Sequence, residues 1–260
     1  VQKNRFMPRL VWVWVLSLLW LGSWDEPCRA AQDSVMRILL TKSAPTLKLL
    51  CPYGGDLVDR SGKRLRALKA GEMVVWTPMT PAPQDNKGKK NQKKPRRTNT
   101  VLDGKTVLVR ARNEVLEVNG VRYRGTLQVS FGKTGAGIVN LVRLEDYVKG
   151  VVGSEIGSLS PPETLKAQAV IARTYGLANR GKHGADGADL CNREHCQVYG
   201  GIKAERPSIN AAVDATRGIV MVADGVPVTS MYHATCGGMT SNNEDVYGGK
   251  PVSYLRRVTC

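Results

Sequence analysis

Glu155 is the residue whose position speaks most directly of chemistry. Leu144, Val148, Val151 and Val152 recur at helical spacing, which predicts a helix over 144–156. Glu155 extends their apolar face rather than the solvent side, and it falls in the last turn, where the helix dipole is negative. Desolvation and that negative end both disfavour the charged carboxylate. A carboxylic acid that keeps its proton near neutral pH is what glycosidic cleavage asks of a proton donor. The same placement also describes a structural carboxylate with a buried partner, so Glu155 alone does not separate the two readings. Glu145 and Asp146 stand in the first turn, where acidic residues stabilise a helix, and need no chemical role.

A second cluster combines Cys191, His195 and Cys196 with His183 upstream and His233 and Cys236 downstream. Soft ligands of these types suit zinc, although the spacing matches no known zinc finger. Cys191 with Cys196, and Cys236 with Cys260, are equally candidate disulfides, and an exported setting favours the disulfide over the metal. His233 ahead of Cys236-Gly237-Gly238 has no motif behind it as a nucleophile pair.

These residues need elements to hold them. Short β-rich runs at 35–40, 46–51 and 73–76 are separated by turn residues such as Gly54-Gly55 and Ser61-Gly62. The pattern resumes at 107–111 and 115–118, turns at Asn119-Gly120, and continues through 121–124, 126–131 and 138–142. Gly132-Lys133-Thr134 is no phosphate loop, because Leu127 stands where that motif needs its first glycine. A second helix opens at Ser160-Pro161-Pro162-Glu163, read as a capping box, and runs to about Asn179. Its inner face of Leu165, Ala169, Ala172 and Gly176 is small enough for close backbone approach. A third helix near 208–216 precedes a hairpin of 219–223 and 226–233 around Asp224-Gly225. Strands, then helices, then strands predict an α+β fold, with a mixed β-rich N-terminal part and a helix-plus-sheet core.

The first thirty residues read as an address. Lys3, Arg5 and Arg9 precede an apolar run over 10–22 broken only by Ser17. That run suits a signal-peptide core of about 7 to 15 residues better than a bilayer span of roughly 20. Residues 1–30 are therefore expected to be a signal peptide or membrane anchor, and the remainder to face the cell wall as a secreted, periplasmic or anchored protein. The net charge of +16 calls for an acidic partner or surface. Much of it sits in 78–100, a Pro-, Asn- and Lys-rich stretch with seven basic residues between Lys87 and Arg97 and no aromatic. It reads as a disordered basic insertion. Charge without aromatic interleaving, in an exported chain, argues against nucleic acid as the target.

The run from Leu144 through Tyr147-Val148-Lys149-Gly150 to Ser154-Glu155-Ile156 resembles the signature of the stage II sporulation protein D and amidase-enhancer (SpoIID/LytB) family. The resemblance continues through Leu165-Lys166-Ala167-Gln168-Ala169 to Arg173-Thr174-Tyr175, then Cys196-Gln197-Val198-Tyr199, Tyr232-His233-Ala234-Thr235-Cys236-Gly237-Gly238 and Ser253-Tyr254-Leu255. It spans roughly residue 123 to the C-terminus. Together with the leader at 1–30, the β-rich segment at 31–77 and the insertion at 78–100 read from the residues, it gives a fourth part, a SpoIID/LytB-like catalytic domain over 101–260. The chain opens on Val1, and the family domain usually extends past the position of Cys260, so the sequence reads as a fragment.

The resemblance implies a lytic transglycosylase that cuts peptidoglycan glycan strands, preferentially those stripped of stem peptides, with the Glu matched by Glu155 as acid. Glu155 would protonate the oxygen between N-acetylmuramic acid and N-acetylglucosamine, then take the proton of the C6 hydroxyl that closes an anhydro ring. One carboxyl group serves both steps, so neither a cofactor nor the second carboxylate of a paired-acid hydrolase is required. Gln168, Arg173, Gln197, Tyr199 and His233 are the polar members of the matched blocks and are candidate sugar contacts, each with a structural role as its alternative. The family commonly carries Met-Pro after the acid, where this chain has Ile156-Gly157. The competing function is a non-catalytic peptidoglycan-binding module that enhances a cell-wall amidase.

Overall fold

The computed structural model describes residues 34–78 and 104–260. The expected leader at 1–30 and all but the first residue of the basic insertion lie outside the described residues. Among the described residues, no helix is long and apolar enough to cross a membrane.

The fold is α+β, built on a nine-stranded sheet. Five strands precede the insertion: β1 (Val35–Ala44), β2 (Leu47–Leu50), β3 (Gly55–Val58), β4 (Arg64–Leu68) and β5 (Met73–Trp76). Three longer ones follow, β6 (Thr106–Val118), β7 (Val121–Phe131) and β8 (Ala136–Arg143), and β9 (Leu190–Cys191) completes the sheet. The order is β4-β3-β6-β7-β8-β1-β9, with β2 pairing β5 and β6. Residues 31–77 therefore do not stand apart from 101–260, since β1 lies between β8 and β9.

The β6–β7 hairpin turns where expected, with Asn119 and Gly120 both at positive φ. The predicted runs at 107–111 and 115–118 are one strand, because Asn113 and Glu114 form a bulge in left-handed conformation without ending it. The strands β3 and β4 replace what the turn residues suggested was loop. Only Leu68 of β4 is buried, and its arginines suit an edge strand, so no apolar alternation marks it.

Among the described residues four α-helices accompany the sheet: α1 (Leu144–Glu155), α2 (Pro162–Ala178), α3 (Pro207–Ala215) and the short α4 (Asn243–Tyr247). In α1 the residues Leu144, Tyr147, Val148, Val151 and Val152 are fully buried in one core with Met36, Ile38, Ile138 and Val142 of the sheet. A Cβ on Gly153 would overlap the Ala204 carbonyl oxygen, so the glycine lets α1 seat directly on the 201–204 turn. The small face of α2 is buried as its composition predicts.

Two local expectations need correcting. Ser160 does not cap α2: its hydroxyl donates back to the Ile156 carbonyl at 3.2 Å, Pro161 takes the N-cap position, and Glu163 pairs with Lys166. The late hairpin is also shorter than expected, reduced to β10 (Val222–Ala223) and β11 (Val226–Pro227). Residues beyond it leave the sheet pattern because Ser230 donates to the Ile171 carbonyl and lies along α2 instead.

Candidate active site

Glu155 is the last residue of α1. The helix stops there because Ile156 departs from helical geometry and Gly157 takes φ +71°, the left-handed position glycine favours. Ile156 packs partly against the core, so Ile156-Gly157 supplies a turn of its own where the family motif has Met-Pro. Glu155 is half-buried rather than sunk in the core that holds the rest of the apolar face. Its Oε1 accepts the Val198 N–H at 2.7 Å.

The carboxylate lines a cleft of about 550 Å³ between the end of α1, α2, residues 194–198 and residues 230–234. Gln168 and His233 share that lining. Gln168 is 7% exposed, and its Nε2 has no hydrogen-bond partner among the described residues. Sequence reasoning missed Tyr232, Lys182 and the exposed Glu194, which also line the cleft. No local pattern marks them, because three separate segments converge only in the fold. Met231, Tyr232, His233 and Tyr247 border in addition a second cavity of about 510 Å³. That cavity runs toward the loop closed by the Cys236–Cys260 disulfide, one of the two bridges expected.

The other three candidate contacts lie behind the cleft. Arg173 is fully buried and does not line it. Its Nε and Nη2 donate to the two Glu145 oxygens at 2.9 and 2.7 Å, and the guanidinium also reaches the carbonyls of Ile219 and Val213. Glu145 stands in the first turn of α1 as expected, and there it also serves as the buried counter-charge of Arg173. Tyr199 is buried too: its hydroxyl donates to Asn140 Oδ1 at 3.0 Å, and its ring packs on Tyr147. Gln197 is 1% exposed. Its Oε1 accepts from the Tyr147 hydroxyl at 3.0 Å, and its Nε2 donates to the Tyr232 hydroxyl at 3.4 Å.

Tyr232 stands with Glu155 in the lining of the cleft. Burial first, and then the adjacent Glu155 charge, push the Tyr232 hydroxyl well above the ordinary tyrosine range. It therefore stays protonated and available as a donor.

The expected Cys191–Cys196 disulfide is not formed, and both cysteines are free and buried. His195 intervenes, its Nδ1 lying 3.8 Å from the Cys191 sulfur and 3.5 Å from that of Cys196. His183 Nε2 approaches the same ring nitrogen at 3.3 Å, while its Nδ1 meets Asp186. The four donor atoms of His183, Cys191, His195 and Cys196 lie within 4.8 Å of one another. Two thiols and two imidazoles at that spacing fit a tetrahedral zinc ion. An outer carboxylate on the far nitrogen of one histidine is the usual support of such a ligand. Cys51, the remaining free cysteine among the described residues, is buried just after β2, and burial with the nearby Glu72 charge pushes its thiol up to about 11.

Comparison with known proteins bears out the resemblance read from the motifs. Residues 132–222 match the SpoIID family model, described as stage II sporulation protein. An uncharacterized protein of Brachyspira hyodysenteriae is 39% identical over 140 residues, which is 53% of this chain and 38% of that protein. Stage II sporulation protein D of Bacillus subtilis is 32% identical over 136 residues, covering 46% of this chain and 39% of the relative. The amidase enhancer of the same organism is 34% identical over 108 residues, 42% of this chain and 14% of the relative. The matched stretch thus spans less than two fifths of each relative's length.

Proposed function

We propose that this chain acts outside the cytoplasm as a peptidoglycan lytic transglycosylase, with Glu155 as the single acid and base. The observation that carries the reading is the placement of Glu155: a helix-terminal carboxylate at the lining of an open cleft, held by the Val198 N–H and, among the described residues, in no ion pair. A carboxyl group held in this way can release and regain a proton during a reaction cycle. A carboxylate locked to arginine cannot do so readily. The cleft and its neighbouring cavity share four lining residues, and two adjoining cavities offer successive places for the units of a polymer.

In this reading Glu155 protonates the bridging oxygen as the bond from C1 of N-acetylmuramic acid breaks, and positive charge develops at C1. The carboxylate then takes the proton from the same sugar's C6 hydroxyl, whose oxygen closes on C1. The products are an anhydro sugar and a free 4-hydroxyl, and no water is consumed. The unpartnered Gln168 amide and the exposed His233 are the groups best placed to meet sugar acceptors. The zinc we assign to His183, Cys191, His195 and Cys196 would be structural. Four protein ligands leave no open position, and Cys196 stands two residues before the Val198 N–H that grips Glu155.

One relative's name, amidase enhancer, favours a second reading: a binding module that leaves the strand intact and recruits a cell-wall amidase. Mass spectrometry of glycan strands, with and without stem peptides, decides between them. Anhydro-muramyl ends from the wild type but not from Glu155→Gln are expected. Reducing ends would mean hydrolysis, with Glu194 as the first candidate for the second carboxylate. Strand retention without cleavage, unaffected by Glu155→Gln, would favour the enhancer.

A further inference from the structure

Building on the glycan-binding reading above, we infer that Lys182 is the specificity-determining residue of the cleft, its ammonium reading a carboxylate on the strand. Of the described residues that line the cleft, Lys182 is the one lysine or arginine, and it shares the lining with the carboxylates of Glu155 and Glu194. It is exposed, and among the described residues it forms no ion pair. Lysines elsewhere are matched: Lys42, Lys149 and Lys166 meet Asp186, Asp214 and Glu163 at 2.9, 3.0 and 2.7 Å. The acid closest to Lys182 in sequence, Asp186, is already engaged by Lys42 and by His183.

The cation is also held in place. Its Nζ donates to the Tyr175 hydroxyl at 3.3 Å and to the His195 carbonyl at 3.0 Å, and it stands 5.9 Å from the centroid of the Tyr175 ring. Tyr175 is 7% exposed and belongs to the core, so the anchor is firm. An ammonium has three donors, and these two neutral acceptors take two of them without cancelling any charge. A lysine fixed in this way has already given up rotamer freedom that binding would otherwise cost. What it lacks is an anion. Neutral recognition is available elsewhere on the same wall. Gln168 stands two turns before Tyr175 on one face of α2, and its amide nitrogen has no partner among the described residues. That donor suits the acetamido oxygen that every sugar of the strand carries, so it cannot tell one unit from the next. A carboxylate is different: Glu155 and Glu194 repel it and Lys182 attracts it, so its place fixes the register of the strand against Glu155.

Peptidoglycan offers that chemistry from two sources. Muramic acid carries a lactyl ether whose carboxyl group is charged where no stem peptide is attached and is an uncharged amide where one is. A stem peptide ends in a carboxylate of its own. The lactyl group is the source the geometry favours, because it hangs directly from the sugar ring and Lys182 lines the same cleft of about 550 Å³ as Glu155.

Titration calorimetry tests this, using the full chain with Glu155→Gln so that strands stay intact. The probes are peptide-free glycan strands, the same strands with their lactyl carboxyls converted to methyl esters, and strands that keep their stem peptides. The free acid should bind about tenfold tighter than the ester. Adding Lys182→Gln should abolish that difference by weakening the acid alone, and Lys182→Arg should keep most of it. Unchanged affinity for the ester shows that the variant is folded, with its cleft and the adjoining His183 intact. Equal weakening of acid and ester would make Lys182 a structural tie between α2 and the 195 loop, and no weakening of either would make it a bystander. Both results overturn the assignment. Peptide-bearing strands that alone depend on Lys182 would keep the carboxylate contact and move its source to the peptide end. Binding with the acid preference in a wild type that cleaves nothing would leave Lys182 in place within the enhancer reading. If no strand binds at all, the glycan reading falls, and the role of Lys182 falls with it.

Discussion

The two ends of α1 carry glutamates with opposite fates. At the start, Glu145 is buried against Arg173 in a bidentate pair with 0% and 4% side-chain exposure. At the end, Glu155 is half-buried at the cleft and held by the Val198 N–H, a neutral donor. A full opposite charge locks a carboxylate in its ionised form and makes it part of the scaffold. Neutral donors fix its position while leaving its proton exchangeable. Residue type and burial alone do not distinguish a structural acid from a chemical one; the charge of the partner does.

The comparison predicts effects that separate cleanly. Glu155→Gln should lower glycan cleavage by about a thousandfold, with the melting temperature almost unchanged in calorimetry; a substantial loss of stability would make Glu155 a structural residue after all. Glu145→Ala should do the reverse. It strands the Arg173 guanidinium in the core at about 3–5 kcal/mol, lowering the melting temperature by roughly 10 °C, and any activity loss should follow the unfolded fraction. Zinc should sharpen the picture at the chemical end. If the four-residue cluster binds it, zinc at a hundredfold excess over its Kd should stabilise the chain by about 2.7 kcal/mol, and Cys191→Ser should remove most of that gain. Equal melting curves with zinc and with chelator would leave the cluster without a metal. The smallest effect belongs to a third carboxylate, Glu163, whose pair with Lys166 is largely exposed. Lys166→Ala should cost no more than about 0.5 kcal/mol, read from urea midpoints.

What the sequence made legible follows from the range of the forces involved. The α1 and α2 boundaries, the β6–β7 turn and the apolar helix faces were readable because the helix-opening proline, the glycine stop, turn chemistry and periodicity act over a few residues. Glu155 was readable for the same reason, standing in phase with four apolar neighbours. The strands β3 and β4 were not, since an arginine-bearing edge strand shows no alternation. Arg173 and Tyr199 were misplaced in the cleft because polarity suggests solvent or ligand, while their partners Glu145 and Asn140 lie 28 and 59 residues away in the chain. Tyr232 and Glu194 reach Glu155's cleft only through the path of two loops, which no window of sequence contains. The free thiols of Cys191 and Cys196 depend on where His195 turns its ring, a choice made by the fold.

The place of β1 in the sheet also sets an order in time. It is the earliest described strand to leave the ribosome, yet its antiparallel partner is β8, and its parallel partner opens at Leu190 opposite Ile38. Met36, Ile38 and Leu39 must therefore wait uncovered while most of the chain is made. Pairings between such distant segments are slow to form, and a waiting apolar strand invites association with other chains. The chain is thus one whose first strand is among the last to be satisfied. Chains truncated before Cys191 should fail by aggregation rather than by loss of the cleft alone.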